Sequence, residues 1–192
     1  MLKELSQNLN GYSDKSTTHS YIDLYNKLLF KIKDKALNVL EIGIGNWADS
    51  VNGASILLWL KYFKQADIYA IDIISQQYMI NDIKNNDRIK IFSETNAYDN
   101  TFVNKELSSI KFDMILDDGS HRLEHQLEFI KLYSPLLAEN GILIIEDVQN
   151  IEHFNDLIDE TPDDLKKYIK TYDLRHKKAR NDDLVFTIDK IN

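Results

Sequence analysis

The chain of 192 residues has no cysteine, only two prolines and six glycines. Without thiols it cannot build a disulfide scaffold, a cysteine-ligated zinc site, an iron–sulfur cluster or a thiol nucleophile. The lack of cysteine fits a reducing compartment, and the cytoplasm is the expected location. Apolar runs stop at about five or six residues, far short of the roughly 20 that a membrane helix needs. The opening stretch, MLKELSQNLNGYSDK, lacks the apolar core of a signal peptide. Basic residues are also in deficit, with 23 Lys and Arg against 31 Asp and Glu and a formal net charge of −8. Such a surface repels the phosphates of DNA and RNA, so a nucleic-acid partner is not expected. What is present is a 43% share of apolar residues, enough for a core in one acidic globular domain.

Short β-rich runs alternate with helical patterns along the chain. Asn38–Gly43 reads as a strand buried on both faces, and Gly53–Lys64 carries a helical apolar stripe through Ile56, Leu57, Leu60 and Phe63. Ile68–Asp72 is a second strand, Gln77–Lys84 a weaker helix and Arg88–Phe92 a third strand. Asp99–Ser109 follows as helix and Phe112–Leu116 as strand. Leu123, Leu127, Ile130 and Tyr133 mark a helix ending before Pro135, and Gly141–Ile145 is a fifth strand. A helix over Ile151–Ile158 and a short one after Pro162 come next. Tyr168–Leu174 and Leu184–Ile188 then read as an antiparallel hairpin at the sheet edge. Residues 1–16 show little periodicity, and Ser20–Ile32 reads as helix. The alternation predicts an α/β fold, a Rossmann-like doubly wound sheet, mostly parallel, with a C-terminal antiparallel hairpin.

In such sheets the chemistry sits just beyond the carboxyl ends of the strands. The first strand ends in Glu41-Ile-Gly43-Ile-Gly45, where glycines allow close backbone approach to a ligand. The second ends in Asp72, a carboxylate placed to grip the ribose hydroxyls of an adenosine-type cofactor. After the third, Glu94 to Asp99 offers polar groups for an adenine edge, Asn96 among them. The fourth delivers Asp117-Asp118-Gly119-Ser120-His121, and the fifth Glu146-Asp147. A helix N-terminus accounts for an acid or a serine there, but not for His121. Asp118, Glu146 and Asp147 together suit a hard divalent cation, Mg²⁺ rather than zinc, with Mn²⁺ as the alternative. The chain has no Tyr-x-x-x-Lys pair and no phosphate-binding G-x-x-x-x-G-K-[ST] loop.

The segment VLEIGIGN…GASILLWLKYFKQADIYAIDI resembles the opening of class I S-adenosylmethionine-dependent methyltransferases. More narrowly, ILDDGSH followed by GILIIEDVQ is similar to the metal-dependent sugar O-methyltransferases of mycinamicin and macrocin type. Relatives carrying a cephalosporin hydroxylase label resemble it too, and DKSTTHSY (14–21) looks like that group's N-terminal element. Two departures stand out: Ala54 replaces a common glycine, and TNAYD replaces a GDQ-like loop. The resemblance implies the class I methyltransferase fold, S-adenosylmethionine as cofactor and a small-molecule or glycan acceptor. It implies Asp118, Glu146 and Asp147 as Mg²⁺ ligands and His121 as general base. It places Glu41, Gly43, Gly45, Asp72, Asn96 and Asp117 at the cofactor. The expected organisation is one methyltransferase domain over 1–192. Within it 1–33 form the N-terminal segment and helix, 34–150 the cofactor- and metal-binding core, and 151–192 the C-terminal helix and hairpin. Relatives that assemble as dimers or larger make a homo-oligomer compatible with it.

The implied activity is Mg²⁺-dependent methylation of a sugar hydroxyl. Two alternatives stay open: a catechol-like phenol acceptor, or a non-catalytic cofactor-binding module. A polar acceptor pocket would favour sugar and an aromatic wall would favour catechol. His125, one helical turn after His121, could contact the site but reads rather as a surface residue; Arg175 and Arg180 could hold a substrate phosphate but read rather as solvated hairpin charges. His19 and Tyr21 fit core packing and a pocket lining equally well, and Trp47 either covers the cofactor or shields the core. His153 and His176 have no evident partner.

Overall fold

The computed structural model describes residues 2–8, 13–45 and 52–191. Helices α1 (Leu2–Asn8), α2 (Asp14–Thr17) and α3 (Tyr21–Leu28) precede strand β1 (Asn38–Ile42). Then come α4 (Ala54–Tyr62), β2 (Asp67–Ile71), α5 (Asn81–Lys84), β3 (Ile89–Phe92) and α6 (Asn100–Phe102). They are followed by β4 (Phe112–Asp117), α7 (Leu123–Tyr133), β5 (Leu137–Ile145) and α8 (His153–Glu160). The chain closes with β6 (Ile169–Asp173), α9 (Arg175–Lys178) and β7 (Leu184–Asp189). The sheet runs β3-β2-β1-β4-β5-β7-β6. The first five strands are parallel, and β7 pairs antiparallel with both β5 and β6. Strand order reverses between β1 and β4, and there a doubly wound sheet opens its crevice.

Side chains alternate across each strand and so divide the core into two layers. Val39, Met114, Leu116, Ile142 and Ile144 pack with Tyr25 and Leu28 of α3 and Ile56 and Trp59 of α4. Leu40, Ile115, Leu143 and Phe186 face the other way, onto Phe129, Ile130 and Tyr133 of α7 and Leu157 of α8. The expected mostly parallel sheet with its antiparallel C-terminal pair is therefore present. Among the described residues no helix is long and apolar enough to cross a membrane.

Three local expectations change. Residues 1–16 contain α1 and α2, and Leu2 is fully buried. The helix expected over Gln77–Lys84 divides into a 3₁₀ turn, Gln76–Tyr78, and α5. The one expected over Asp99–Ser109 begins where the Asp99 carboxylate accepts from the Thr101 amide at 2.8 Å, then widens into a π-helical turn, Val103–Leu107.

Candidate active site

A cleft of about 220 Å³ lies over the ends of β1, β2 and β4, lined by Gly43, Gly45, Asp72, Asn96, Gly119 and His125 among others. Gly43 has φ +90°, and a Cβ there would stand 1.9 Å from the Asp118 carbonyl oxygen, so only glycine lets the two strand ends meet. Asp72 holds the turn closed: its carboxylate accepts from the amides of Ile44 at 2.5 Å, Gly45 at 3.2 Å and Ile74 at 3.0 Å. It shapes the glycine turn as well as facing the cleft. Asn96 is exposed at the rim, with its side-chain oxygen accepting from the Tyr98 amide at 3.1 Å. His125 does not sit apart on the surface. Its Nδ1 is 2.6 Å from the Ser120 hydroxyl, and its ring stacks on Tyr98 with centroids 4.4 Å apart. Trp47 lies outside the described residues.

Two of the residues assigned to the cofactor stand behind the cleft wall. Glu41 is fully buried, accepting from the Trp59 indole at 2.5 Å and pairing with Lys15 at 3.3 Å. Burial, only partly offset by Lys15, pushes its carboxyl up to about 7. Asp117 accepts from the Tyr98 hydroxyl at 2.7 Å and the Gly119 amide at 3.2 Å, while its Oδ2 is buried with no hydrogen-bond partner among the described residues. Burial likewise pushes Asp117 up to about 7, against the pull of those donors. The folded state thus binds this proton more tightly than the unfolded chain. The stabilisation is complete below the ordinary aspartate range and is lost as pH rises through 7. Between pH 6 and pH 8 this one group should remove about 1.4 kcal/mol of stability. Urea unfolding at both pH values, with and without Asp117→Asn, measures it: the variant should lose that part of the slope.

The acids of the fourth and fifth strand ends separate by sheet face. Glu41, Leu116 and Ile144 share one rung, and Asp118 and Glu146 continue the β4 and β5 rows on the α3 side. Glu146 is almost wholly buried; its carboxylate accepts from Lys15 Nζ at 2.8 Å and from the Tyr25 hydroxyl. Burial pushes it well above the carboxylate range despite Lys15. Asp147 turns away from it with φ +51°, and His121 has φ +57°, a left-handed conformation uncommon for either residue type. Such strain concentrates at functional sites. Asp118, His121 and Asp147 each bring one donor atom within 4.8 Å of the others, and His121 Nε2 is 3.7 Å from Asp147 Oδ2. Burial first, then Asp118, raises the Asp147 carboxyl.

The structure therefore gathers Asp118, Asp147 and His121 around one point and sets Glu146 against Lys15. Asp118 and Asp147 with His121 offer oxygen and imidazole donors, a set that fits a hard divalent cation.

Behind Asp147 a second layer closes the wall. His19 Nδ1 lies 2.7 Å from Asp183 Oδ1 and 3.3 Å from Asp147 Oδ1. The Tyr21 hydroxyl donates to Asp147 Oδ1. His19 and Tyr21 thus both stand against Asp147. Arg180 pairs with Asp182 at 2.8 Å, whereas Arg175 pairs with Asp173 at 2.7 Å on the exposed hairpin. On the outer side an open recess is lined by Ser120, His121, Arg122, Glu124, Gln149 and His153. Sequence reasoning missed Lys15, Tyr25 and Gln126, whose amide donates to the Glu146 carbonyl at 3.1 Å. For Lys15 the signal was its place inside DKSTTHSY. For Tyr25 it was the four-residue spacing from Tyr21 on one face of α3.

No family model matches the chain. An L-olivosyl-oleandolide 3-O-methyltransferase of Streptomyces antibioticus is 30% identical over 131 residues, covering 67% of this chain and 32% of that protein. A mycinamicin VI 2″-O-methyltransferase of Micromonospora griseorubida is 25% identical over 133 residues, covering 68% and 32%. The chain thus spans about a third of the length of these relatives. The MycE methyltransferase of mycinamycin biosynthesis, solved with Mg and SAH, matches with TM-score 0.66 and 26% identity over 76% of this chain and 36% of that one. An O-methyltransferase of Bacillus cereus, solved with SAH, shares the fold at TM-score 0.61 and 16% identity, over 97% and 89% of the two chains. By fold and by sequence, the chain is related to the class I S-adenosylmethionine-dependent methyltransferases and, within them, to sugar O-methyltransferases of the olivosyl-oleandolide, mycinamicin and macrocin types.

Proposed function

We propose that this chain catalyses methyl transfer from S-adenosylmethionine to a hydroxyl of a sugar, with a divalent cation, Mg²⁺ by preference, at the acceptor. The observation that carries the proposal is the grouping of Asp118, His121 and Asp147 at the ends of β4 and β5, beside the glycine cleft at the strand-order reversal. Asp118 and Asp147 would hold the cation, with Glu146 in reserve on the α3 side. Gly43, Gly45 and Asp72 would hold the cofactor. When bound, S-adenosylmethionine supplies the methyl group, and the cation supplies the Lewis acidity that makes a sugar hydroxyl a better nucleophile. His121 Nε2 takes the hydroxyl proton, and Asp147 beside it steadies the imidazolium that results. Holding acceptor and donor aligned in one cleft supplies much of the rate, about 7–11 kcal/mol in well-oriented cases.

The hydrogen-bonding groups of Ser120, Arg122, Glu124 and Gln149 in the outer recess support a sugar over a catechol. Screening nucleotide-sugars and glycosides for methyl transfer by mass spectrometry tests the reading. Product should form with Mg²⁺ or Mn²⁺ and fall to background in excess EDTA, with S-adenosylmethionine affinity unchanged. Full activity in EDTA would refute the metal assignment. Methylation confined to vicinal phenols would move the acceptor to the catechol class.

A further inference from the structure

Among the described residues Lys15 is the one lysine or arginine that is buried. Its side chain is fully buried, on a helix of four residues. Nζ lies 2.6 Å from Asp118 Oδ2, 2.8 Å from Glu146 Oε2 and 3.3 Å from Glu41 Oε1. Burial on its own would discourage the charged form, but Asp118, Glu146, Glu41 and Asp14 together hold the ammonium protonated. A buried lysine with three carboxylates around it is a cation in a cation site. Two of those carboxylates, Asp118 and Glu146, belong to the trio expected to ligate the metal. The other Glu146 oxygen accepts from the Tyr25 hydroxyl, so both its oxygens are taken.

We propose that Lys15 is a built-in counter-ion that competes with the divalent cation for Asp118 and Glu146, so that full metal loading requires its ammonium to leave that corner. The inference rests on the metal-dependent reading above. An ammonium and a divalent ion drawn to the same carboxylates repel each other, and burial weakens the screening between them. With Lys15 in place, the donors left for a metal are Asp118, His121 and Asp147. With Lys15 withdrawn, Glu146 and the second Asp118 oxygen become available. A cavity of about 400 Å³ adjoins it, lined by Lys15 and Ser16 together with Asp23, Lys3, Lys177 and Lys178, so Asp23 is the acid there that could receive the ammonium. The backbone carrying it is pinned, because Lys178 Nζ donates to the carbonyls of Ser16 at 2.9 Å, Thr17 at 2.9 Å and His19 at 2.7 Å. Exchange is therefore a side-chain movement rather than release of the N-terminal segment.

The experiment is Mn²⁺ binding to the full chain, by electron paramagnetic resonance or calorimetry, for wild type, Lys15→Met, Lys15→Gln and Lys15→Arg. Circular dichroism confirms folding. The neutral variants should bind Mn²⁺ about tenfold or more tightly than wild type, since one competing charge is gone. Lys15→Arg, which keeps the charge, should show no such gain. Wild-type or weaker affinity in a folded neutral variant overturns the role of Lys15 and leaves the metal reading standing. No Mn²⁺ binding in any of the four proteins overturns both. If neither neutral variant folds even with Mn²⁺ present, Lys15 is needed where it stands and the displacement is refuted.

Discussion

Asp147→Asn should lower turnover by about 10³-fold and weaken Mn²⁺ binding at least about tenfold, while leaving the melting temperature unchanged or slightly raised. Asparagine is the right replacement because Asp147 has φ +51°, a conformation asparagine adopts more readily than most residues. It also keeps the shape of the side chain and an oxygen to accept from Tyr21. What it removes is charge, which in the proposed reading acts twice: with Asp118 toward a divalent ion, and on His121 at 3.7 Å. A Lewis acid at such a site is worth several kcal/mol, and about 1.4 kcal/mol is tenfold in rate, hence the expected factor. Stability moves the other way because the carboxyl is buried and pushed up in pKa. Removing a charge that is costly to bury relieves the fold. Turnover at saturating Mn²⁺, Mn²⁺ affinity and a thermal melt measure the three effects. Turnover within tenfold of wild type would show that Asp147 holds no reacting group.

The strand ends were legible because a run buried on both faces has nowhere to put a charged residue until it stops. IYAID, MILDD and ILIIED each mark the point where a strand leaves the core, whereas Glu41 in VLEIG is a carboxylate inside β1; the parallel arrangement brings the strand ends to one edge. The direction each acid takes was also latent there. Ile142 and Ile144 face α3, so Glu146 continues their row toward Tyr25 and Lys15, away from Asp147. Helices α1 and α2 were not legible. At seven and four residues they are too short to be stable alone, and packing of residues such as Leu2 and Lys15 holds them. Lys15 was passed over in the sequence, where only its place inside DKSTTHSY marks it. Its partners Asp118 and Glu146 are 103 and 131 positions away, and no local pattern encodes such a contact. His125 was misplaced for a similar reason: its neighbours Tyr98 and Ser120 come from two loops that meet only in the folded sheet.

His121→Asn should lower turnover by about 10²- to 10⁴-fold with little change in S-adenosylmethionine affinity. The substitution suits φ +57°, which asparagine adopts readily, so the loop after β4 should keep its course. Its amide can still reach toward Asp147 but cannot accept a proton near neutral pH, and that capacity is what the proposed reaction would ask of this position. Cofactor affinity should hold because the cleft lining includes Ser120 and His125 but not His121, which opens instead onto the outer recess. The variant also separates two roles that the geometry allows for one imidazole. If His121 serves only as a proton acceptor, Mn²⁺ affinity is unchanged and the loss falls on turnover alone. If it is mainly a metal donor alongside Asp118 and Asp147, Mn²⁺ affinity falls too, and excess Mn²⁺ restores part of the rate. Lys15 decides which role is open. While its ammonium occupies the Asp118–Glu146 corner, the metal depends on His121 as a third donor. Once that corner is vacated, Glu146 supplies the ligand and leaves the imidazole to the proton. The double variant Lys15→Met/His121→Asn should therefore bind Mn²⁺ more tightly than His121→Asn alone and remain as slow.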